Sequence, residues 1–278
     1  MPPGPAGPTI GQVLSDHDIE RFEADGYVAV RQAVPPAVLA ECTQQLHRQL
    51  SDAGVDTVDP TTWNEPVLRL DCPETPAFAS AGTQPVLWDA YDQLLGPGRH
   101  VKRKGVGGSV AVRFPSVSDP GDAGWHIDGS FFVDGGWGVN VYSRGRGLLC
   151  LFLFSDVGPN DAPTEIKPGS QVLVPPTLLE LGEAGGLYDP KTTDAWSAMS
   201  ELPSAFATGQ AGDVYICHPF LVHRATWPHT GTRPRIIAQP EIGIHEPFAL
   251  SGEGEPFPVE RAILAGLASQ LRGELPGS

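Results

Sequence analysis

One histidine and one aspartate stand two residues apart near the middle of the chain, in Gly124-Trp125-His126-Ile127-Asp128-Gly129. In an extended backbone, side chains two positions apart leave the same face, so His126 and Asp128 would converge on one point. An imidazole and a carboxylate at one point are two of the three ligands of the facial triad that holds non-haem Fe(II). Such a pair is also common by chance, so an iron site needs a third ligand elsewhere.

A second stretch supplies candidates for that third ligand, because it contains both His218 and His223. A facial triad needs one more neutral imidazole, and either histidine could offer it. Two arginines follow, Arg233 and Arg235, at the start of a segment with β-strand character. A guanidinium there could bind a dicarboxylate cosubstrate, because its planar fork matches the two oxygens of a carboxylate.

The composition favours a chain of many short strands, in one large β-rich domain or two smaller ones. Its 278 residues include 33 Gly and 29 Pro, and frequent turns suit strands better than long helices. Apolar residues alternate over 110–114, which predicts a half-buried strand whose Arg113 points either into a polar active-site interior or to solvent. Residues 148–154 are apolar throughout, as in a strand buried on both faces.

Helices are predicted towards both ends of the chain. Three lie in the first hundred residues, from Ser15 to Gly26, from Pro36 to Leu50 and from about Gln84 to Leu95. A terminal amphipathic helix is predicted over residues 259–271. Residues 51–75 are interpreted as turns, and residues 176–208 as an insertion with a weak helical pattern.

The charge balance disfavours nucleic-acid binding, because 18 Lys and Arg stand against 33 Asp and Glu, a formal net charge of −15. The only dense basic patch, residues 99–104, is interpreted as a solvated turn or edge strand in preference to a rim that attracts an anionic substrate. The four cysteines are far apart and show no zinc-site spacing, which indicates reduced thiols. With no signal-peptide pattern and no long apolar run, we expect a cytoplasmic protein.

Several motifs in order along the chain carry a family resemblance. They are Leu14-Ser15, Phe22, Asp25-Gly26-Tyr27, Trp125-His126-Ile127-Asp128, Asn160, Thr164, Pro168-Gly169-Ser170, Gly212-Asp213, His223 and Pro234-Arg235. Together they resemble the phytanoyl-CoA dioxygenase family of Fe(II)/2-oxoglutarate-dependent oxygenases. The resemblance implies a mainly β fold with peripheral helices, a double-stranded β-helix or cupin-like jelly-roll.

The resemblance also implies roles for individual residues. His126, Asp128 and His223 become the iron ligands, with His223 preferred over His218. Arg235 becomes the partner of the 2-oxoglutarate C5 carboxylate, although a shift of one strand register would favour Arg233.

Two further residues are candidates for cosubstrate binding. Thr164 stands where similar proteins often place a hydroxyl that helps to hold the cosubstrate. Arg113 would join it if its side chain faces the interior.

The chain departs from the family pattern in three places, which concern the substrate side of the site. Gln171 replaces a common His, His229 replaces a common Asn, and residues 161–163 replace a turn that usually contains Gly. In contrast, the carboxylate of Asp128 is intact, whereas related halogenases have a small residue there. The expected reaction is therefore hydroxylation or another oxidation and not halogenation.

These inferences define one expected enzyme. It has a disordered tail at residues 1–12 and one domain at 13–278. That domain has a helical part at 13–98, a jelly-roll core at about 106–248 and a C-terminal helix at 258–272.

The expected reaction uses Fe(II), 2-oxoglutarate and O₂ to oxidise an unactivated C–H bond of a small molecule, with release of succinate and CO₂. The expected class of small molecule is a secondary metabolite.

We expect a monomer or homodimer without nucleic-acid or membrane partners. Two other functions remain open: a non-catalytic metal-binding jelly-roll, and a cupin-like hydrolase or isomerase using Zn²⁺ or Mn²⁺.

Overall fold

The computed structural model describes residues 13–251 and 254–272, so the tail predicted at residues 1–12 lies outside the described residues. The α-helices in this part of the chain are α1 (Asp16–Asp25), α2 (Pro36–Asp52), α3 (Pro76–Gly82), α4 (Pro85–Leu95), α5 (Ser170–Thr177), α6 (Trp196–Glu201) and α7 (Pro258–Leu271). Short 3-10 helices lie at Pro60–Thr62, Leu179–Leu181 and Pro190–Thr192.

Twelve strands are present in the same described ranges. They are β1 (Tyr27–Val30), β2 (Val67–Asp71), β3 (Ser109–Arg113), β4 (Phe131–Val133), β5 (Gly136–Gly138), β6 (Leu148–Leu153), β7 (Glu165–Ile166), β8 (Ala205–Phe206), β9 (Val214–Cys217), β10 (His223–Arg224), β11 (Arg235–Ala238) and β12 (Glu241–Ile242). No helix of these ranges is both long enough and apolar enough to span a membrane.

The strands form two facing antiparallel sheets and a hairpin. The larger sheet has the order β1-β9-β6-β11-β3-β2, with β12 also paired to β6. The smaller sheet has the order β10-β7-β8, and β4 pairs with β5 in the hairpin. This is the double-stranded β-helix that the sequence predicted, with helices outside the larger sheet.

Both faces of the central strand β6 are buried, as its apolar run predicted. The even-numbered residues of β6, such as Cys150 and Phe152, pack in the core that also contains the helices. Its odd-numbered residues, such as Leu149 and Leu151, pack in a second core between the sheets, together with Ile237 of β11. Because strand side chains alternate, successive residues of a central strand point in turn to the interior of the β-helix and to the side covered by helices.

Local sequence explains how the helices start and stop. Ser15 caps α1, with reciprocal hydrogen bonds between Ser15 and Asp18. Gly26 ends this helix in the left-handed conformation, at φ 82°. All four cysteines are free and buried.

Two sequence-based interpretations were wrong. The segment at 51–75 includes β2, whose residues are only partly buried and therefore lack a clear apolar pattern. Large rings that follow the central motif would more often be core, but those of Phe132 and Trp137 are 70% and 54% exposed, because they lie on the projecting hairpin. Helix α5 begins at Ser170, directly after a turn at Pro168-Gly169, and contains Pro175 and Pro176.

Candidate metal and cosubstrate site

Backbone hydrogen bonds place His223 directly beside His126 of the motif at residues 124–129. The amide of His126 donates to the carbonyl of His223, and the amide of His223 donates to the carbonyl of His126, both at 3.0 Å. His223 lies opposite Ile166 in the smaller sheet, and Ile166 belongs to the core between the sheets. The side chains of both histidines therefore meet at the interior of the β-helix.

The three predicted ligands converge within the range that one metal ion can bridge. Their ligand atoms all lie within 4.8 Å of one another. Asp128 Oδ1 is 3.5 Å from His126 Nε2, and Asp128 Oδ2 is 3.9 Å from His223 Nε2. Ligand atoms about 2.1 Å from a shared ion and at right angles lie roughly 3 Å apart, so small side-chain movements suffice.

The tautomers of both histidines suit metal binding. His126 Nδ1 is 2.8 Å from the carbonyl oxygen of Gly124, and His223 Nδ1 is 2.9 Å from that of Leu221. A carbonyl oxygen only accepts, so each Nδ1 carries a proton, and in the neutral ring each Nε2 then holds the lone pair. This outer hydrogen bond is how proteins usually orient a ligating imidazole.

Burial and neighbouring charges set the protonation of the cluster. Burial raises the pKa of Asp128, but the hydrogen bond with His126 and the charges of His223 and Arg146 together outweigh burial. The pKa of Asp128 therefore lies well below the usual range. Burial lowers the pKa of His223. Burial lowers the pKa of His126, but the hydrogen bond and charge of Asp128, together with the Gly124 carbonyl, outweigh it, so the net direction is upward. An ionised carboxylate beside neutral imidazole is the donor set that a divalent metal requires.

The triad opens into a cavity of about 640 Å³. Trp137 of the hairpin and Leu149 of β6 contribute apolar wall. The charged side chains that line it are Arg69, Arg103, Asp122, Asp128, Arg146 and Glu241. A small molecule in this space would lie directly against the metal ligands.

Arg235 is a buried cation without a carboxylate partner among the described residues. It is 3% exposed and shares the interior face of β11 with Ile237. Its Nη1 donates to the carbonyl oxygen of Ala162 at 2.7 Å, whereas its buried Nε has no partner. Burial, helped by repulsion from Arg113, lowers the pKa of Arg235 to about 9. Arg233 is exposed.

Arg113 lies directly opposite Arg235 in the paired strands β3 and β11. It is 3% exposed and therefore faces the interior and not solvent. Its Nη2 donates to both carboxylate oxygens of Asp122 at 2.8 Å. The charge of Arg113 is thus already paired, and its role in cosubstrate binding stays a prediction.

Thr164 precedes β7 and is 2% exposed. It shares a strand face with Ile166, which packs between the sheets, so its side chain is directed towards the interior. This position is compatible with cosubstrate binding, which also stays a prediction.

The other singled-out polar residues have structural partners. His218 is buried with Nε2 against the carbonyl of Val259 at 3.1 Å, and its Nδ1 accepts from the amide of Phe220. Gln171 Nε2 donates to the carbonyls of Glu23 and Ala24, which joins α5 to the end of α1. These contacts leave both side chains outside the metal cluster.

Four charged residues of the cavity were not predicted from sequence, namely Arg69, Asp122, Arg146 and Glu241. Arg146, in the turn before β6, is 6% exposed, and its Nη1 lies 3.7 Å from Asp128 Oδ2. Its Nη2 contacts the carbonyl of Gly129. The only signal in the sequence was an arginine between two glycines, immediately before the all-apolar strand.

Solved structures with this fold include several proteins that hold 2-oxoglutarate. The non-haem alpha-ketoglutarate-dependent carbocyclase SnoK from nogalamycin biosynthesis is 16% identical, with a TM-score of 0.59 over 98% of this chain and 96% of that one. EctD from S. alaskensis, with 2-oxoglutarate and 5-hydroxyectoine, is 18% identical, with a TM-score of 0.57 over 90% and 81%. HygX from Streptomyces hygroscopicus, with nickel, 2-oxoglutarate and hygromycin B, is 17% identical, with a TM-score of 0.53 over 88% and 96%.

At these identities the structures establish the fold alone. A search of curated protein sequences found no significant match. A sequence profile of the phytanoyl-CoA dioxygenase family, however, matches residues 22–237, which is more than half of the chain. That range contains the triad, Arg113, Thr164 and Arg235, and the chain therefore belongs to the phytanoyl-CoA dioxygenase (PhyH) family.

Proposed function

We propose that this Fe(II)/2-oxoglutarate-dependent oxygenase hydroxylates, or otherwise oxidises, an unactivated C–H bond of a small secondary metabolite and releases succinate and CO₂. One observation carries the proposal: a His-Asp-His cluster and an unpaired buried arginine face the interior of the same β-helix. The cluster fits Fe(II), and the arginine fits the second carboxylate of 2-oxoglutarate.

In this proposal, His126 and His223 hold the iron through Nε2, and Asp128 holds it through its carboxylate. Their Nδ1 hydrogen bonds to backbone carbonyls keep both rings in the ligating orientation. When bound, iron, 2-oxoglutarate and O₂ supply the oxidising chemistry.

Arg235 would bind the C5 carboxylate of 2-oxoglutarate. A buried cation without a counter-ion is unfavourable, and the lowered pKa of Arg235 reflects that burial. A carboxylate beside the guanidinium would relieve it and form charge-assisted hydrogen bonds, including one to Nε. The surrounding apolar interior, with Leu151 and Ile237 almost fully buried, excludes water from this pair.

The proposed reaction is oxidation and not halide transfer, because the Asp128 carboxylate occupies the third protein position of the triad. The projecting rings of Phe132 and Trp137 would pack on the substrate at the cavity mouth. Support for a secondary metabolite comes from two proteins of the same fold, SnoK from nogalamycin biosynthesis and HygX with hygromycin B bound.

The test is succinate formation from 2-oxoglutarate by protein stripped of metal and reconstituted with Fe(II). We expect His126→Ala and Asp128→Ala to abolish succinate formation, whereas His17→Ala, which alters an exposed histidine on α1, keeps it. Succinate formation unchanged in the two triad variants would contradict the proposal. An activity that needs Zn²⁺ or Mn²⁺ and no 2-oxoglutarate would instead favour a cupin-like hydrolase or isomerase.

A further inference from the structure

The cavity beside the triad is lined by three arginines and three carboxylates, namely Arg69, Arg103, Arg146, Asp122, Asp128 and Glu241. Once Asp128 is assigned to the metal, the arginines outnumber the remaining carboxylates, although the whole chain has a net charge of −15. Arg69 and Arg113 share the single carboxylate of Asp122, at 3.1 and 2.8 Å. Arg146 contacts the carboxylates of Glu241 and Asp128, at 3.4 and 3.7 Å. Arg103 contacts Glu241 only through its backbone carbonyl. With Asp128 assigned to the metal, these four arginines have only the carboxylates of Asp122 and Glu241 beside them, which leaves about two uncompensated positive charges.

This excess remains when the proposed cofactor and cosubstrate are counted. Fe(II) would be neutralised by Asp128 and by the C1 carboxylate of 2-oxoglutarate. Arg235 would be neutralised by the C5 carboxylate. Neither Fe(II) nor 2-oxoglutarate would therefore neutralise the other arginines of the cavity. Their positive charge remains available to bind the substrate.

Arg146 is a buried cation whose guanidinium is incompletely hydrogen-bonded. Its side chain is only 7% exposed, yet its Nε and Nη1 have no hydrogen-bond partner. Its Nη2 lies 3.4 Å from the carboxylate of Glu241, longer than the roughly 2.7–2.9 Å of a charge-assisted hydrogen bond. Glu241 itself is half exposed and can leave this contact at little cost.

Arg103 offers a second donor group on the same wall. It contacts the backbone carbonyl of Glu241 and donates from Nε to the carbonyl of Gly105 at 3.1 Å. Backbone carbonyls fix the direction of the guanidinium without neutralising its charge. No carboxylate is paired with Arg103 within residues 13–251 and 254–272.

We propose that Arg146, assisted by Arg103, binds an oxyanion of the substrate, a carboxylate or a phosphate, beside the metal ligands. The inference rests on the proposed function and specifies its substrate class as an anionic small molecule. Nη1 of Arg146 lies 3.7 Å from Asp128 Oδ2, so an anchored oxyanion would hold the adjoining carbon skeleton at the iron.

The test uses the full chain loaded with Mn(II) and 2-oxoglutarate, titrated calorimetrically with inorganic sulfate and then with acetate. We expect the wild type to bind at least one of these oxyanions, and Arg146→Gln to bind it roughly tenfold more weakly or worse. Arg146→Lys, which keeps the charge, should be intermediate. Glu241→Gln should bind up to about fivefold more tightly, because it removes the competing carboxylate.

Arg144→Gln is the matched control, since Arg144 lies in the same turn but is exposed and stacks on Phe131. It should bind as the wild type does. Sulfate and acetate binding that is absent, or independent of Arg146 and Glu241, would overturn the inference.

A separate measurement isolates the role of Arg146. Under anaerobic conditions, Fe(II) and 2-oxoglutarate should give the same charge-transfer absorption in Arg146→Gln as in the wild type. If the variant alone loses it, Arg146 positions Asp128 and the substrate role is overturned. If the wild type lacks it, the proposed function fails and this inference fails with it.

Discussion

Replacing Arg235 with methionine should stabilise the metal-free protein and at the same time weaken 2-oxoglutarate binding. Arg235 is 3% exposed, and burial lowers its pKa from 12.5 to about 9. At about 1.4 kcal/mol for each pKa unit, this shift corresponds to roughly 5 kcal/mol against the folded cation. Methionine has a similar length without the charge, so the variant avoids that unfavourable contribution.

Part of the gain is offset by a lost hydrogen bond. Arg235 Nη1 donates to the carbonyl oxygen of Ala162, which would be left unpaired in the variant. An unsatisfied buried acceptor costs about 1–3 kcal/mol. We therefore expect a net stabilisation of about 2–4 kcal/mol, measured as a rise of at least roughly 4 °C in the Tm of metal-free protein.

The effect on 2-oxoglutarate has the opposite sign. Removing one partner of a buried charge pair costs about 2–5 kcal/mol, which weakens the Kd roughly 30-fold to 5,000-fold. Calorimetric titration of Mn(II)-loaded protein with 2-oxoglutarate measures this loss. Arg235→Met that binds 2-oxoglutarate normally, or that is less stable than the wild type without metal, would refute the reasoning.

Arg233→Met is the matched control for this pair of measurements. Arg233 is exposed and two residues earlier, so we expect stability to change by less than about 0.5 kcal/mol and 2-oxoglutarate affinity to stay unchanged. Loss of affinity in Arg233→Met, with normal affinity in Arg235→Met, would identify Arg233 as the anchor.

Other predictions concern pH, the backbone and the cavity mouth. Burial lowers the pKa of His218 from 6.5 to about 3, so below pH 6.5 only the unfolded chain takes up its proton and stability falls. From pH 7 to 5 this residue should remove about 2 kcal/mol of unfolding free energy in urea, a loss absent from His218→Gln. Gly26→Ala should lower the free energy of unfolding by about 2–4 kcal/mol, because φ is +82° and a Cβ would lie 2.5 Å from a side-chain oxygen of α5. Gly54→Ala is the control, because Gly54 has open space around it, and it should lower the same free energy by about 1 kcal/mol. Replacing Phe132 and Trp137 with alanine should raise the KM for the substrate about tenfold, measured by mass spectrometry of the product. The affinity for 2-oxoglutarate should stay unchanged. An unchanged KM would show that these rings do not contact the substrate.

The parts of the site set by strand geometry could be predicted from sequence. His126 and Asp128 converge because strand side chains repeat every two residues, and that spacing is visible in the chain. The choice of His223 came from its place in the order of family motifs, and backbone pairing with His126 gives the physical reason for it. Arg235 shares the interior face of β11, whereas Arg233 precedes the strand and is exposed.

The remaining features depend on tertiary contacts that leave little local pattern. Strand β2 pairs along its full length with β3, but its own residues are only partly buried and do not alternate clearly. Helix α5 contains two prolines and is held by packing against α7. Arg146 lies in a turn, and only the fold places it beside Asp128.

The central claim is that His126, Asp128 and His223 hold one Fe(II) to which 2-oxoglutarate binds. Anaerobic titration of 2-oxoglutarate-loaded protein with Fe(II), followed by charge-transfer absorption, tests it most directly. We predict an absorption band that saturates at one iron for each chain and is lost in His223→Ala. A band that is absent from the wild type, or unchanged in His223→Ala, would contradict the claim.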